Sequence, residues 1–364
     1  METKVKYKIN PFLKVGTVTN KIGGIYPIFN PSINSIDIKF PSRLNAMAID
    51  PSLILPNKKG IYRAGEVVFS IGLYRIIHVE RRPGGHIEIS NRSKRRPLIL
   101  HAALLMKKAL SFSEGLFIDV DNQNEIKHAG LGSSSGLIAG VACAINELYG
   151  SLILPQKLVR YLAQNHGEEI EFNNEYLCPV QCLGGAAAAG LFKAGMIVIA
   201  GESIVIATSV IPKKYKVIIG IPKDYVPLDS KKLFELETEN IEKFINTGKK
   251  MGDKIAYNVL HKMLPAMING DLSSIGDVIY DYRFNMGSID NCSFSYPKVI
   301  ELSKKLSFLK KDKFTPILSL SSVGPSFFTI SEHVTYCKNY FEKLGLSTIV
   351  TNIENNGYEI IKTR

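Results

Sequence analysis

Several features that would assign a class at once are missing from this sequence. No run of about 18 apolar residues occurs along its 364 positions, so no membrane-spanning helix is expected. The opening stretch Met1–Lys14 has no apolar signal core, and a cytoplasmic protein is the expectation. Cysteine is scarce. Cys143, Cys178, Cys182, Cys292 and Cys337 are scattered, and Cys178 and Cys182 have no second Cys or His pair at zinc-finger spacing, so free thiols in a reducing compartment are expected. Internal repeats, low-complexity tracts and obvious linkers are absent as well.

Positive charge is plentiful. The net charge is +12, a balance that suits nucleic acid, membrane surfaces or anionic small substrates. The one dense run, Arg81-Arg82 followed by Arg92, Lys94, Arg95 and Arg96, lacks the interleaved aromatics of a nucleic-acid platform. It reads as a solvated basic hairpin or as a phosphate-binding element. Neither nucleic acid nor membrane is an expected partner.

Apolar residues make up 45% of the chain, enough for an extensive core. Ser35–Phe40, Glu66–Ile71 and His86–Ile89 alternate with the period of half-buried strands. Leu98–Leu110, Ser133–Leu148 and Pro155–Asn165 carry helical spacing, with Gly150 as a C-terminal stop for the second. Met196–Ile199, Ile204–Ala207 and Val217–Ile221 are β-branched runs, and Lys231–Thr247, Lys254–Ile268 and Leu272–Asn285 turn helical. Ile317–Ser319, Phe327–Ile330, Thr348–Val350 and Tyr358–Ile361 read as further strands, with a helix over Val334–Leu344. This mixed order without βαβ repetition predicts an α+β fold with largely antiparallel sheets. A soft boundary at Pro212–Lys216 divides it into 35–214 and 215–364, preceded by an N-terminal segment, 1–34.

The sharpest local feature is Lys127–Gly136, which runs straight into an alanine-containing helix. Gly130 and Gly132 permit left-handed turns that let successive N–H groups converge. The helix that starts at Ser133, Ser134 and Ser135 adds its positive dipole end, and three hydroxyls can reach phosphate or Mg²⁺. No Gly-Lys-Ser/Thr follows, so this is not a Walker loop. A serine N-cap on a buried helix is the alternative.

Gly130–Ser135 resembles the central motif of the GHMP kinase superfamily, which includes galactokinase and homoserine, mevalonate and phosphomevalonate kinases. Phe40–Asp50 is similar to its first motif and Ser321–Phe328 to its third, in the right order. The resemblance implies a GHMP-type fold of two mixed α/β halves. Within the superfamily, the Pro41–Asp50, His128, Met263–Gly276 and Ser321–Ser326 stretches resemble the beta-ribofuranosylaminobenzene 5′-phosphate synthases and related C-glycoside synthases. The chain departs from that branch at Gly132–Gly136 and lacks an Arg in Pro179–Gly185. Kinases of the superfamily commonly carry an Asp in the turn here spanning Gln181–Ala189, which contains no acid.

The resemblance therefore implies a synthase transferring phosphoribosyl from 5-phosphoribosyl-1-pyrophosphate (PRPP) to an aromatic carboxylate, with loss of pyrophosphate and carbon dioxide. An ATP-dependent small-molecule kinase is the alternative. On this reading Gly130, Leu131, Gly132, Ser133, Ser134, Ser135, Ser321, Ser322 and Gly324 bind phosphate. Arg43, with its bidentate fork, holds phosphate or the acceptor carboxylate. His128 donates to a leaving oxygen or is a hydrogen-bonded structural histidine. Asp50 and Glu169 are candidates for Mg²⁺, against a turn cap and a solvated helix end respectively. His101 is expected on a helix surface, and a homodimer is implied by the resemblance.

Overall fold

The computed structural model describes residues 12–26, 32–122, 125–171, 173–311 and 314–364. Of the N-terminal segment 1–34, residues 1–11 and 27–31 lie outside the described residues.

Two long strands, β2 (Ser35–Ile49) and β3 (Gly65–Arg82), form an antiparallel pair at the centre of the first sheet. β3 then pairs with β5 (Gly115–Asp121) at one end and with β8 (Met196–Ala200) at the other. β4 (Ile87–Ile89) lies parallel to β5, and β9 (Ile204–Ser209) extends the sheet beyond β8. Arg81 and Arg82 therefore end a central strand whose neighbour is β5, so the basic run does not form a hairpin with β4. Helices α1 (Arg96–Leu110), α2 (Ser133–Leu148) and α3 (Pro155–Gln164) cover one face together with the short α4 (Gly185–Leu191). Ile36, Ile38 and Phe40 alternate onto that face and join α1 and α2 in the first core. A Cβ on Gly140 would strike Phe40 and Ile77, so glycine there lets α2 lie directly on the strands.

The register slips between Pro41 and Ser42, and beyond this point Leu44, Ala46 and Met47 belong to a second core. That core is completed by the C-terminal half. β10 (Lys216–Pro222), β11 (Ile317–Leu320), β12 (Phe327–Ser331) and β13 (Leu346–Asn352) form an antiparallel sheet in the order β11-β12-β10-β13. The chain passes from the first sheet to the second between β9 and β10, and β14 (Glu359–Thr363) returns to pair with β2. β1 (Leu13–Lys14), β7 (Asn173–Cys178) and β6 (Glu168–Ile170) make a small third sheet.

The helical stretch after β10 differs from the expectation of separate helices over Lys231–Thr247 and Lys254–Ile268. α5 (Ser230–Asn258) runs unbroken through Gly248 and Gly252. Gly248 packs against the turn Pro51–Leu53, where a Cβ would strike the Ser52 amide, so the glycine answers to a tertiary contact instead of ending the helix. A π turn over Val259–Met263 leads into α6 (Leu264–Asn269), and a second over Asp281–Asn285 follows α7 (Leu272–Tyr280). The short α8 (Ser288–Asn291) and then α9 (Val299–Lys311), which the apolar spacing did not suggest, and α10 (Val334–Lys343) complete the half.

Candidate active site

The start of α2, one end of β2 and β3, and the first turns of α5 enclose a cleft of about 190 Å³. The loop before α2 forms its floor. His128, Gly130 and Gly132 have φ of 52°, 79° and 68°, backbone that glycine adopts without strain. Gly132 is the N-cap of α2 and supplies no side-chain acceptor. The first-turn amides at Ser133, Ser134 and Ser135 thus lack intrahelical partners, and the positive end of the helix dipole opens into the cleft.

Arg43 leans over this loop. One terminal nitrogen donates to the Gly130 carbonyl at 3.0 Å, and its buried Nε has no partner. The loop is tied from behind by the β11–β12 turn. Ser321 Oγ donates to the Gly130 carbonyl at 2.6 Å and accepts from the Asn45 amide at 3.1 Å, while Ser326 Oγ donates to the Ala129 carbonyl. Ser321 is fully buried, so Ser322, Val323 and Gly324 are the members of that turn that line the cleft. Arg283, on the second π turn, is buried and donates to the carbonyls of Ala46, Ser322 and Asn45, binding the β2 segment to the β11–β12 turn. Burial holds its pKa below the usual guanidinium value.

The other wall is acidic and cationic together. Arg95, only 2% exposed at its side chain, donates to Ser133 Oγ at 3.1 Å, Ser134 Oγ at 2.5 Å, Glu169 at 2.8 Å and Glu168 at 3.2 Å. His166 Nε2 faces the second Glu168 oxygen at 3.4 Å. Burial alone would raise the Glu168 pKa, but the His166 hydrogen bond and the charges of Arg95, His166 and His128 outweigh it and hold it at about 2. Glu168 is therefore ionised at neutral pH. Glu237, reaching in from α5, is the opposite case: burial and the charge of Glu168 push it up to about 7. Glu66 is buried in the same cleft, where its two oxygens accept from Asn45 Nδ2 and, at 2.6 Å, from the Gly185 amide. Burial and the nearby Glu66 charge push the Cys182 thiol up to about 12, so it stays protonated.

The structure thus brings together Arg43, His128, Gly130, Leu131, Gly132, Ser133, Ser134, Ser135, Ser322 and Gly324. His128 Nε2 lies 3.1 Å from Ser230 Oγ, and burial lowers its pKa. Asp50 lies apart from the cleft, where it caps the turn Pro51–Leu53 by accepting from Ser52 N and Oγ. Glu169 also stands outside the cleft, paired with Arg95 and, at 2.7 Å, with Lys127. His166, Glu66, Glu237 and Arg283 were not singled out from the sequence. Arg95 sat in a run that read as a solvated basic hairpin or as a phosphate-binding element, and it is the buried link between loop and carboxylates. His101 also differs from its surface expectation: it is fully buried, donating from Nε2 to Asn165 O at 2.7 Å and accepting from Gly16 N at 2.9 Å.

Residues 97–174 match the family described as GHMP kinases N terminal domain. No curated protein matches the chain by sequence. Among solved structures, homoserine kinase from Cytophaga hutchinsonii is 14% identical with a TM-score of 0.57, covering 92% of this chain and 100% of that one. Mevalonate diphosphate decarboxylase from Staphylococcus aureus is 13% identical with a TM-score of 0.62, over 91% and 98%. MDDEF in complex with MVAPP, AMPPCP and magnesium is 11% identical with a TM-score of 0.60, over 91% and 100%. The fold is of GHMP type, with mixed α and β content and mostly antiparallel sheets. Among the described residues, no helix is long and apolar enough to cross a membrane.

These matches overturn the PRPP-dependent C-glycoside synthase and its aromatic carboxylate acceptor. The similar enzymes are kinases and a diphosphate decarboxylase, and nothing in them supports the synthase branch or PRPP. The step that favoured the synthase was the missing acid in Gln181–Ala189. The cleft draws its carboxylates from Glu66, Glu168 and Glu237 instead, on three other elements, so the acid-free turn does not leave it without one.

Proposed function

We propose that this chain is an ATP-dependent phosphotransferase that phosphorylates a hydroxyl of a small molecule. The observation that carries this reading is the left-handed loop Gly130–Gly132 opening the α2 N-terminus into a cleft that also holds Arg43 and the ionised Glu168. Unpaired first-turn amides and the helix dipole form a seat for the nucleotide's terminal phosphates. Arg43, which lines the cleft and bonds the Gly130 carbonyl, adds a cation beside the same loop. Phosphoryl transfer depends mainly on positioning and charge neutralisation, and these groups supply both.

The donor set also fits magnesium, which accompanies AMPPCP in one structural neighbour. Mg²⁺ takes one or two carboxylates and completes its shell with phosphate and water. Glu168 is held ionised and accepts one hydrogen bond on each oxygen, leaving lone-pair positions open. Glu168 and the Ser134 hydroxyl would hold the ion. When bound it would neutralise charge on the departing phosphate. Arg95 fixes the directions of both side chains beforehand.

Calorimetric titration with AMP-PCP and Mg²⁺ tests this. Saturable binding is expected, weakened at least about tenfold by Ser134→Ala, since hydrogen bonds to charged groups contribute about 1.5–3 kcal/mol. Failure of the wild-type protein to bind nucleotide ends the reading.

A further inference from the structure

A second pocket of different character adjoins the phosphate cleft. Ile54, Leu55, Pro56, Ile241 and Phe244 form its apolar walls. It shares Gln181, Phe234, Glu237 and Val323 with the cleft, so the two are continuous across those side chains. Among the described residues, no Lys, Arg or His lines it. Two polar groups stand at the junction. One is the Glu237 carboxylate. The other is the Gln181 side chain, whose Oε1 is buried and has no hydrogen-bond partner. An unpartnered buried acceptor costs about 1–3 kcal/mol unless something donates to it.

We propose that this pocket is the acceptor subsite, that it takes a short uncharged alcohol with an apolar body and one hydrogen-bond donor besides the reacting hydroxyl, and that Glu237 is the group that takes the hydroxyl proton. The proposal rests on the phosphotransferase reading above and names its substrate class. The pocket measures about 60 Å³. A dry apolar cavity of about 150 Å³ holds benzene, so this one takes roughly three or four carbons and no ring. A carboxylate on the acceptor would enter beside Glu237 with no cation to receive it, and burying such a charge unpaired is costly. The cations of the cleft are placed otherwise: Arg43 over the glycine loop, Arg95 behind the serines, and Arg283 within the β11–β12 turn.

The step balances as follows. The acceptor O–H gives its proton to a Glu237 carboxylate oxygen, and the acceptor oxygen forms the new bond to the γ-phosphorus. The bond from γ-phosphorus to the β,γ-bridging oxygen breaks, and ADP leaves with that electron pair. Glu237 later returns the proton to water. Glu237 lines both the phosphate cleft and the apolar pocket, so its carboxylate stands where a hydroxyl held by the pocket meets the phosphate seat.

The probe is 2-methylpropane-1,3-diol, with homoserine and mevalonate as carboxylate-bearing comparisons. Product formation from ATP and Mg²⁺ is read by ³¹P NMR, and AMP-PCP binding is measured separately by calorimetry. Phosphate is expected on the neutral alcohol, with kcat/KM at least about tenfold above either carboxylate. Ile241→Trp, which fills the pocket, is expected to raise KM for the alcohol at least about tenfold and leave nucleotide binding unchanged. Glu237→Gln, nearly isosteric and only half-buried, is expected to lower kcat about 100-fold or more with KM for the alcohol little changed. A preference for either carboxylate, or full kcat in Glu237→Gln, overturns the proposal. If AMP-PCP binds but the alcohol neither binds nor is phosphorylated, the subsite falls and the nucleotide reading stands. If AMP-PCP does not bind, the phosphotransferase reading itself falls and takes the proposal with it.

Discussion

Arg95→Ala should be among the most disruptive single changes in the cleft. The guanidinium is 2% exposed and is shared by Ser133, Ser134, Glu168 and Glu169. Glu169 would keep Lys127 as a partner, but Glu168 would retain only His166. Arg95 sits at φ 59°, and alanine there carries the same left-handed penalty because both residues have a Cβ, so backbone strain cancels from the comparison. What remains is a buried carboxylate that has lost a cation, a change that costs about 3–5 kcal/mol. Urea unfolding followed by far-UV circular dichroism measures it; the chain has no Trp for fluorescence. The sign of the pH dependence is fixed by Glu168, whose folded pKa of about 2 lies below its ordinary 4.5. Its contribution is complete above about 4.5 and is lost as pH falls toward about 2, so the gap between wild type and Arg95→Ala should narrow on acidification. Arg95→Ala combined with Glu168→Gln should recover part of the loss at pH 7, because the stranded charge is gone. A single variant within about 1 kcal/mol of wild type, or a double variant no better than the single one, refutes the reasoning.

Gly132→Ala would place a methyl 3.0 Å from Arg43 Nε at φ 68°, costing about 1–2 kcal/mol of backbone strain; a lower melting temperature and weaker AMP-PCP binding by calorimetry are expected. Asp50→Ala removes the cap from the turn Pro51–Leu53 and should cost about 1 kcal/mol in urea unfolding. Its Mg²⁺ dependence should match wild type, and a raised Mg²⁺ requirement in steady-state assays would return Asp50 to the site. Because Glu237 acts as a base only when deprotonated and burial raises its pKa, kcat should rise with pH along an acidic limb and then level off; Glu237→Gln should lose that limb in a pH–rate profile, and a limb that persists in the variant belongs to another group.

Where local pattern determines structure, the sequence was readable. Ser133–Leu148 ends before the stop signal Gly150 and Pro155 opens the stretch to Asn165, and both helices form within a residue of those bounds. The glycine loop was readable because two glycines and three serines ahead of an apolar helix have few other uses. Long-range packing was not readable. Arg95 belongs to a basic run, and nothing local distinguishes it from Arg96, which is exposed while Arg95 is buried. Glu237 lies on an amphipathic helix where a charge normally meets water, and it faces the cleft only through the way α5 packs on the rest of the fold. Arg283 is placed by a π turn, a local widening of the helix that residue periodicity does not reveal.

The acid-free turn Gln181–Ala189 shows how a missing residue can mislead. At Gly185 a Cβ would lie 2.6 Å from Glu66 Oε1, so an acidic side chain in that position would collide with a carboxylate already present. The strand β3 therefore supplies, from a distant part of the sequence, the charge that the turn lacks. Glu66 is not thereby a base. Its oxygens are engaged by Asn45 Nδ2 and the Gly185 amide, and Asn45 is itself anchored by Arg283, so the carboxylate is held as part of the frame that aligns β2 with α4. Glu237 has the complementary character: burial and the charge of Glu168 shape its titration, and it stands between the phosphate cleft and the apolar pocket. Two carboxylates in one cleft are thus separated by their surroundings into one that holds the fold and one free to exchange a proton, and the separation follows from which of them is already hydrogen-bonded.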